Sequence, residues 1–80
     1  MAPHRVVCVD DEPAFADLTA TQLERHGDVT ATGFTDPNEA LPHLENADCV
    51  VSDYDMPGMT GLEFLETVRE RHPDLPFVLF

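Results

Sequence analysis

The chain has 80 residues and a formal net charge of −12, because sixteen acidic residues face four arginines and lysine is absent. A chain of this length forms at most one domain, and its hydrophobic core is thin. The negative charge disfavours direct contact with nucleic acid or with an anionic membrane surface.

The first half of the chain places a helical pattern between two apolar runs. Arg5–Val9 is a continuous apolar run, which is typical of a strand covered on both faces. Pro13 suits the first turn of a helix, and Gly27 suits the position just past its end. The larger apolar side chains of this helix predict its buried face: Phe15, Leu18 and Leu23. Val29–Phe34 mixes threonine and glycine into an apolar run, which predicts a more exposed strand at the sheet edge.

The second half contains two further helices and two further strands. Asp36 is a cap that starts a short helix, which ends by about Leu44. Asp48–Ser52 is the third strand. Thr60–Glu63 is a candidate capping box, and the helix that it opens has a predicted buried face of Leu62, Leu65 and Val68. Phe77–Phe80 is the fourth strand.

Strands that alternate with helices form a parallel sheet with right-handed crossovers. We therefore expect an α/β fold with a doubly wound sheet in the order 2-1-3-4, in which the first and third strands are neighbours. Ligands of such sheets bind at the carboxyl ends of the strands, where the strand order reverses. Asp10 and Asp11 follow the first strand and Asp53 follows the third, so this order brings three carboxylates together.

Three neighbouring carboxylates repel one another unless their charge is compensated. Mg²⁺ compensates it, because this ion prefers one or two carboxylates, water and phosphate oxygens. A carboxylate can also attack phosphorus and form an aspartyl phosphate. The cluster therefore predicts a phosphoryl-transfer site that binds Mg²⁺. The alternative is that Asp10, Asp11 and Glu12 only stabilise the start of the first helix, and the two roles are compatible.

The rest of the sequence excludes several other kinds of site. No apolar stretch approaches the roughly 20 residues of a membrane-spanning helix, and no signal-peptide core is present, so we expect a cytoplasmic location. Cys8 and Cys49 lie inside apolar runs, which predicts two buried free thiols. Dispersed acids without lysine suggest a host with a salty interior, because salt screens their repulsion. We assign no chemical role to the four histidines: His4, His26, His43 and His72.

Two motifs carry a resemblance to a known family. The pair Asp10-Asp11 follows the first strand, and the segment DYDMPGMTG, at positions 53–61, follows the third. This pattern resembles the receiver (CheY-like) domain of two-component response regulators, and the match extends over the whole chain. The resemblance implies a flavodoxin-like fold of five strands and five helices.

The resemblance also implies a role for each acidic residue. Asp53 is expected to accept a phosphoryl group from the phosphohistidine of a sensor histidine kinase or a phosphotransfer protein. Asp11 and Asp53 are expected to bind Mg²⁺ directly, with the backbone carbonyl of Asp55, while Asp10 acts largely through water. The domain is then a phosphoacceptor in a phosphorelay rather than an enzyme, with an output domain or partner downstream.

The resemblance is incomplete after Phe80. Receivers of this family carry a Ser or Thr after the fourth strand and a Lys after the fifth, and both contact the phosphoryl group. This sequence stops before either position and has no lysine. We therefore interpret residues 1–80 as the amino-terminal part of a receiver domain, without its fifth strand and last helices.

Two other functions remain open. Asp53 and Asp55 form a DxD pair, as in haloacid-dehalogenase-type phosphatases, where the first Asp is the nucleophile and the second a general acid/base. Those enzymes carry the pair after their first core strand and need a later lysine, and neither condition holds here. The other alternative is a receiver-like module that binds partners without being phosphorylated, and the intact acidic triad argues against it.

The margin of the predicted sheet gives a last expectation. Phe77–Phe80 is apolar and uncharged, and one of its sides has no neighbouring strand. We therefore expect the isolated 80-residue chain to dimerise through this strand, to exchange elements with a neighbouring copy, or to be only partly folded, unless further chain covers it.

Overall fold

The computed structural model describes residues 4–80. Residues 1–3 belong to the predicted domain but lie outside this part. The predicted strands are confirmed, and their bounds differ from the prediction by at most one residue. In chain order the elements are β1 (His4–Val9), α1 (Pro13–Glu24), β2 (Val29–Phe34), α2 (Pro37–Ala40), a 3-10 helix (Leu41–Asn46), β3 (Cys49–Ser52), α3 (Gly61–Arg71) and β4 (Phe77–Leu79).

The four strands form one parallel sheet in the order β2-β1-β3-β4, as predicted. The register aligns Val9 of β1 with Phe34 of β2 on one side and with Ser52 of β3 on the other. The carboxyl ends of these three strands therefore meet at one edge of the sheet. Gly27 ends the first crossover with φ +90°, the left-handed conformation that glycine adopts without strain.

The predicted buried face of α1 was wrong for two of its residues. Phe15 and Leu18 are 57% and 52% exposed, whereas Ala16 and Ala20 are buried. A Cβ atom placed on Gly33 of β2 would lie 3.2 Å from Ala16 Cβ, so helix and strand approach closely here. Such an approach requires small residues at the contact, and the larger side chains of α1 are turned away from it.

The second helical segment is more irregular than predicted, and only its first part is α-helical. The Asp36 carboxylate accepts a hydrogen bond from the Asn38 N–H at 2.9 Å, which confirms the predicted cap. Only four residues of α-helix follow. The segment then continues as the 3-10 helix, which contains Pro42 and ends at Asn46, two residues beyond the predicted end. This segment covers part of one sheet face, with Leu44 fully buried.

The capping box of α3 is confirmed, and its predicted buried face is confirmed for Val68 but was wrong for Leu62. Thr60 and Glu63 each accept a hydrogen bond from the other's backbone N–H. Phe64 and Val68 are fully buried, whereas Leu62 is 44% exposed and Leu65 is half-buried. The side of the helix that carries Gly61, Phe64 and Val68 packs against the rest of the domain, so Leu62 faces solvent.

The two faces of the sheet are covered unequally. One face carries the hydrophobic core, in which Val7, Val9 and Val50 pack with residues of α2, the 3-10 helix and α3. The other face is covered by α1, which lies mainly over β1 and β2. Val78 of β4 lies on this second face and is 50% exposed. None of the helices within residues 4–80 is long and apolar enough to cross a membrane.

Candidate metal centre

The carboxyl edge of the sheet carries the three predicted aspartates in one cluster. Asp10, Asp11 and Asp53 each present a carboxylate oxygen, and these oxygens all lie within 4.8 Å of one another. β1 and β3 are paired neighbours, so the residues that directly follow them are brought together by the register. Asp10 is 8% exposed, and the other two side chains are half-buried.

Hydrogen bonds fix the backbone under this cluster. The Asp53 N–H donates to Val9 O at 2.9 Å, which extends the pairing of β1 and β3 to the site itself. The Asp10 N–H donates to Phe34 O at 3.0 Å, which ties the site to β2. The Asp10 Oδ1 atom accepts the Glu12 N–H at 3.0 Å, at the start of α1. One oxygen of Asp10 is thus already engaged by the protein, and this supports the helix-stabilising role expected for that residue.

The donor set fits a hard divalent cation. Its three members are carboxylate oxygens, which suit Mg²⁺, Ca²⁺ and Mn²⁺, and it contains neither the imidazole nor the thiolate that softer metals prefer. Three like charges this close together repel one another, and a divalent cation among them removes that repulsion. Asp55 does not belong to the carboxylate cluster within residues 4–80, and it lies exposed in the loop after β3.

The loop from Asp53 to Gly61 is held at both ends. Met56 is 5% exposed and joins the hydrophobic core. The Gly61 N–H donates to Tyr54 O at 2.7 Å. A Cβ atom placed on Gly61 would lie 2.8 Å from Tyr54 Cα and would also meet Asp53 O, so only glycine fits here. Gly58 takes φ +82° at the turn between these points. The loop therefore holds the Asp53 backbone in place through its packing.

Two features of the site were missed by the sequence analysis. Ser52 is fully buried, and its hydroxyl donates to Asp53 O at 2.9 Å. A cleft of about 360 Å³ opens beside Asp11, between the residues that follow β2 and the loop that follows β3, and among its lining residues are Asp36, Asn38, Pro57 and Met59. The position of Asp36 just after β2 could have predicted this cleft. Ligands of such sheets bind at the carboxyl ends of strands, and that rule also located Asp53.

The cysteines lie away from this chemistry. Both are free, and Cys8 is buried as predicted, but Cys49 is only partly buried. Burial raises the pKa of the Cys8 thiol from 9.0 to about 11, and the neighbouring Cys49 adds to that increase. Burial also raises the pKa of Cys49. Both thiols are therefore protonated at neutral pH and are poor nucleophiles.

Comparison with known proteins agrees with this fold. Residues 6–80 match the sequence model of a protein family, the response regulator receiver domain. The chain is 35% identical over 78 residues to the probable transcriptional regulatory protein TcrX of Mycobacterium tuberculosis, covering 96% of this chain and 33% of TcrX. It is 37% identical over 82 residues to a protein-glutamate methylesterase/protein-glutamine glutaminase of Caulobacter vibrioides, covering 99% of this chain and 24% of that protein.

One solved structure with a similar fold contains bound ligands. It contains the response regulator TrrA of Thermotoga maritima in complex with Mg²⁺ and BeF, at 32% identity and a TM-score of 0.86, over 95% of this chain and 67% of TrrA. A second structure shows TrrA bound to the histidine kinase ThkA, with 32% identity and a TM-score of 0.85, over 95% of this chain and 66% of the matched chain. The chain spans a third or less of the two curated relatives.

Proposed function

We propose that this chain, which belongs to the response regulator receiver family, accepts a phosphoryl group on Asp53 from a phosphohistidine. The observation that carries the proposal is the cluster of Asp10, Asp11 and Asp53, whose carboxylate oxygens lie within 4.8 Å of one another at the ends of two paired strands. The phosphohistidine belongs to a sensor histidine kinase or to a phosphotransfer protein of a two-component system. The complex of TrrA with ThkA supports this class of partner.

The reaction uses the Asp53 carboxylate as a nucleophile. One carboxylate oxygen forms a bond to phosphorus, the phosphorus–nitrogen bond of the donor breaks, and the released imidazole nitrogen takes a proton from water. The backbone of Asp53 is fixed by Val9 O and by the Ser52 hydroxyl, so its side chain starts from a defined position. The cleft beside Asp11 is the proposed approach of the donor, because carboxylate oxygens of Asp11 and Asp53 lie within 4.8 Å of each other.

Mg²⁺ is the proposed cofactor, held by the same three aspartates and by the backbone carbonyl of Asp55. When bound, a divalent cation neutralises the charge on the phosphoryl oxygens. The structure supports a division of roles between Asp10 and Asp11. One oxygen of Asp10 already accepts the Glu12 N–H, and Asp11 is the more exposed of the two. Asp11 is therefore the proposed direct ligand, and Asp10 acts largely through water.

The phosphatase alternative loses support from the same geometry. A nucleophile and a general acid/base must both face the phosphate, but the carboxylate cluster in residues 4–80 joins Asp53 to Asp10 and Asp11 and leaves Asp55 outside. This domain is thus proposed to be a phosphoacceptor rather than an enzyme. A whole protein that carries it can have its own activity, as the name of the Caulobacter relative indicates.

The location and the downstream partners are part of the proposal. We propose a cytoplasmic location, because it is typical of the receiver family to which the chain belongs. The output domain or partner is proposed by analogy with the curated relatives, which are much longer than the matched segment.

Phosphorylation in the presence of Mg²⁺ tests the proposal. The protein is incubated with acetyl phosphate or with a phosphorylated histidine kinase, and intact mass is measured. We expect one added phosphoryl group in the wild type and in Asp74→Asn, an exposed acid outside the cluster, and none in Asp53→Asn. Equal phosphorylation of Asp53→Asn and wild type would show that the assignment is wrong.

A further inference from the structure

A groove of about 250 Å³ opens on the sheet face that the 3-10 helix covers only in part. It lies at the amino-terminal end of β1, and Arg5 is five residues before Asp10, which corresponds to about 16 Å along a strand. We call it the β2 groove. Among its lining residues are Arg5, Thr30, Thr32, Phe34, His43 and Asn46.

The groove follows from the register and from the short 3-10 helix. Arg5 aligns with Thr30 and Val7 aligns with Thr32, so these side chains form rows on one face of β1 and β2. The 3-10 helix has six residues and then turns into β3, so it does not extend over the outer part of β2. Threonine side chains are too short to close the space that remains.

The polar groups of the β2 groove are hydrogen-bond donors or can act as donors. They belong to five of its lining residues, which are Arg5, Thr30, Thr32, His43 and Asn46. None of the lining residues is acidic, although 16 of the 80 residues of the chain are. The carboxylate of the neighbouring Asp48 accepts a hydrogen bond from the Arg5 backbone N–H at 2.8 Å. The lining of the groove is thus without acidic residues on a negatively charged protein.

The floor and one wall of the groove are apolar. Val7 is 5% exposed at the floor, and the rings of Phe34 and His43 lie 4.9 Å apart, tilted by 36°. An apolar cavity of about 150 Å³ holds benzene, so the β2 groove has room for one ring with a charged substituent. We propose that it binds a small aromatic carboxylate, with the carboxylate on Arg5 and the ring against Phe34 and His43.

This site shares no residue with the aspartate cluster, so its proposed binding is independent of the proposed phosphoryl transfer. The position of His43 also gives that residue a role that the sequence analysis did not assign. Its imidazole forms part of the wall that faces the ring of the ligand.

Binding of benzoate to the ¹⁵N-labelled protein tests the proposal. The amide signals of residues in the β2 groove should shift in a saturable manner with benzoate. Benzylamine, which keeps the ring but carries the opposite charge, should leave them unchanged, and acetate, which lacks the ring, should bind more weakly. No saturable shift with benzoate, or equal shifts with benzylamine, would overturn the proposal.

Two substitutions identify the contact. Arg5→Met keeps the aliphatic stem and removes the charge, and it should weaken benzoate binding about tenfold, as expected for one charged hydrogen bond. Arg71→Met, an exposed arginine on α3, should leave the affinity unchanged. Unshifted amide signals outside the groove show that each variant is folded. If Arg5→Met binds benzoate as tightly as Arg71→Met does, the groove is not the site.

Discussion

Gly61 packs directly against the backbone of Asp53. Replacing it with alanine adds a Cβ atom where Asp53 O, Tyr54 Cα and the Leu79 side chain already lie. Alanine improves helix propensity by about 1 kcal/mol, but overpacking against backbone costs about 1–3 kcal/mol, so we expect net destabilisation. Urea unfolding measures this, and a Gly61→Ala variant as stable as wild type would contradict the close packing.

Asp10 and Asp11 are adjacent in sequence but should respond differently to substitution. Asp11→Ala should weaken Mg²⁺ binding more than Asp10→Ala, because one Asp10 oxygen is already bonded to the Glu12 N–H. Asp10→Ala should instead cost about 1 kcal/mol of stability, since that N–H loses its partner. Mg²⁺ titrations followed by nearby amide signals, together with urea unfolding, separate the two effects. The reverse order of Mg²⁺ affinities would exchange the two roles.

The Cys8 thiol should make stability depend on pH in alkaline solution. Burial raises its pKa from 9.0 to about 11, so in this range the unfolded chain loses a proton that the folded chain keeps. The free energy of unfolding therefore falls as pH rises, by about 2 kcal/mol between pH 9 and pH 11. Urea unfolding across this range should show a steeper fall for wild type than for Cys8→Ala. Parallel curves for the two proteins would remove Cys8 as the cause.

At the scale of elements, the strands were easier to predict than the faces of the helices. A buried parallel strand is a continuous apolar run, and Arg5–Val9 and Asp48–Ser52 were located from that alone. The aspartate cluster followed, because strand order determines which strand ends meet. The predicted faces were wrong at Phe15, Leu18 and Leu62, because every large apolar residue at helical spacing was assumed to face the sheet. The helices approach their neighbours closely through small residues, at Ala16 against Gly33 and at Gly61 against the loop.

The capping box of α3 can be tested as a unit. Thr60→Ala removes the side-chain acceptor of the Glu63 N–H, which lies 3.2 Å from the Thr60 hydroxyl oxygen. Loss of such a cap costs about 1 kcal/mol. Thr60→Ser keeps the hydroxyl and should retain most of the stability in urea unfolding. Because α3 begins directly after the loop of Asp53, a large loss of phosphorylation without loss of stability would contradict a purely structural role for Thr60.

At the scale of the molecule, the two edges of the sheet differ in their protection. On β2, the outward N–H of Ala31 donates to the Glu24 carboxylate at 3.3 Å, so α1 supplies a charged side chain to that edge. At the two ends of β4, Pro76 O accepts from the Val50 N–H, and the Phe80 N–H donates to Ser52 O. Phe80 O accepts from the Tyr54 N–H, just past the end of β3. In a parallel ladder the peptide groups of the alternate residues, Phe77 and Leu79, then point away from β3. The composition of the strands and their order could predict which strands lie at the sheet edges. The hydrogen bond from Ala31 to Glu24 could not be predicted, because it depends on how α1 ends.

The β4 edge leads to a prediction about association of the 80-residue chain in isolation. Val78 is 50% exposed and Phe80 is 57% exposed beside this edge, so apolar surface and unpaired peptide groups coincide. The net charge of −12 opposes contact between copies, but at physiological ionic strength salt screens charges beyond about 8 Å. Sedimentation should therefore show self-association that increases with salt concentration. Folding should also sharpen with salt, as the acidic composition suggests.

A charge placed at the β4 edge should reverse this association. Val78→Lys introduces a charged side chain of the kind that blunts natural sheet edges, and it should keep the chain monomeric in high salt. Leu62→Lys makes the same change at an exposed apolar residue of α3, away from the edge, and should leave association as in wild type. Both variants reduce the net negative charge equally, so a difference between them reports on the edge rather than on charge. If wild type and both variants sediment as monomers at high salt, the exposed edge of β4 does not drive association.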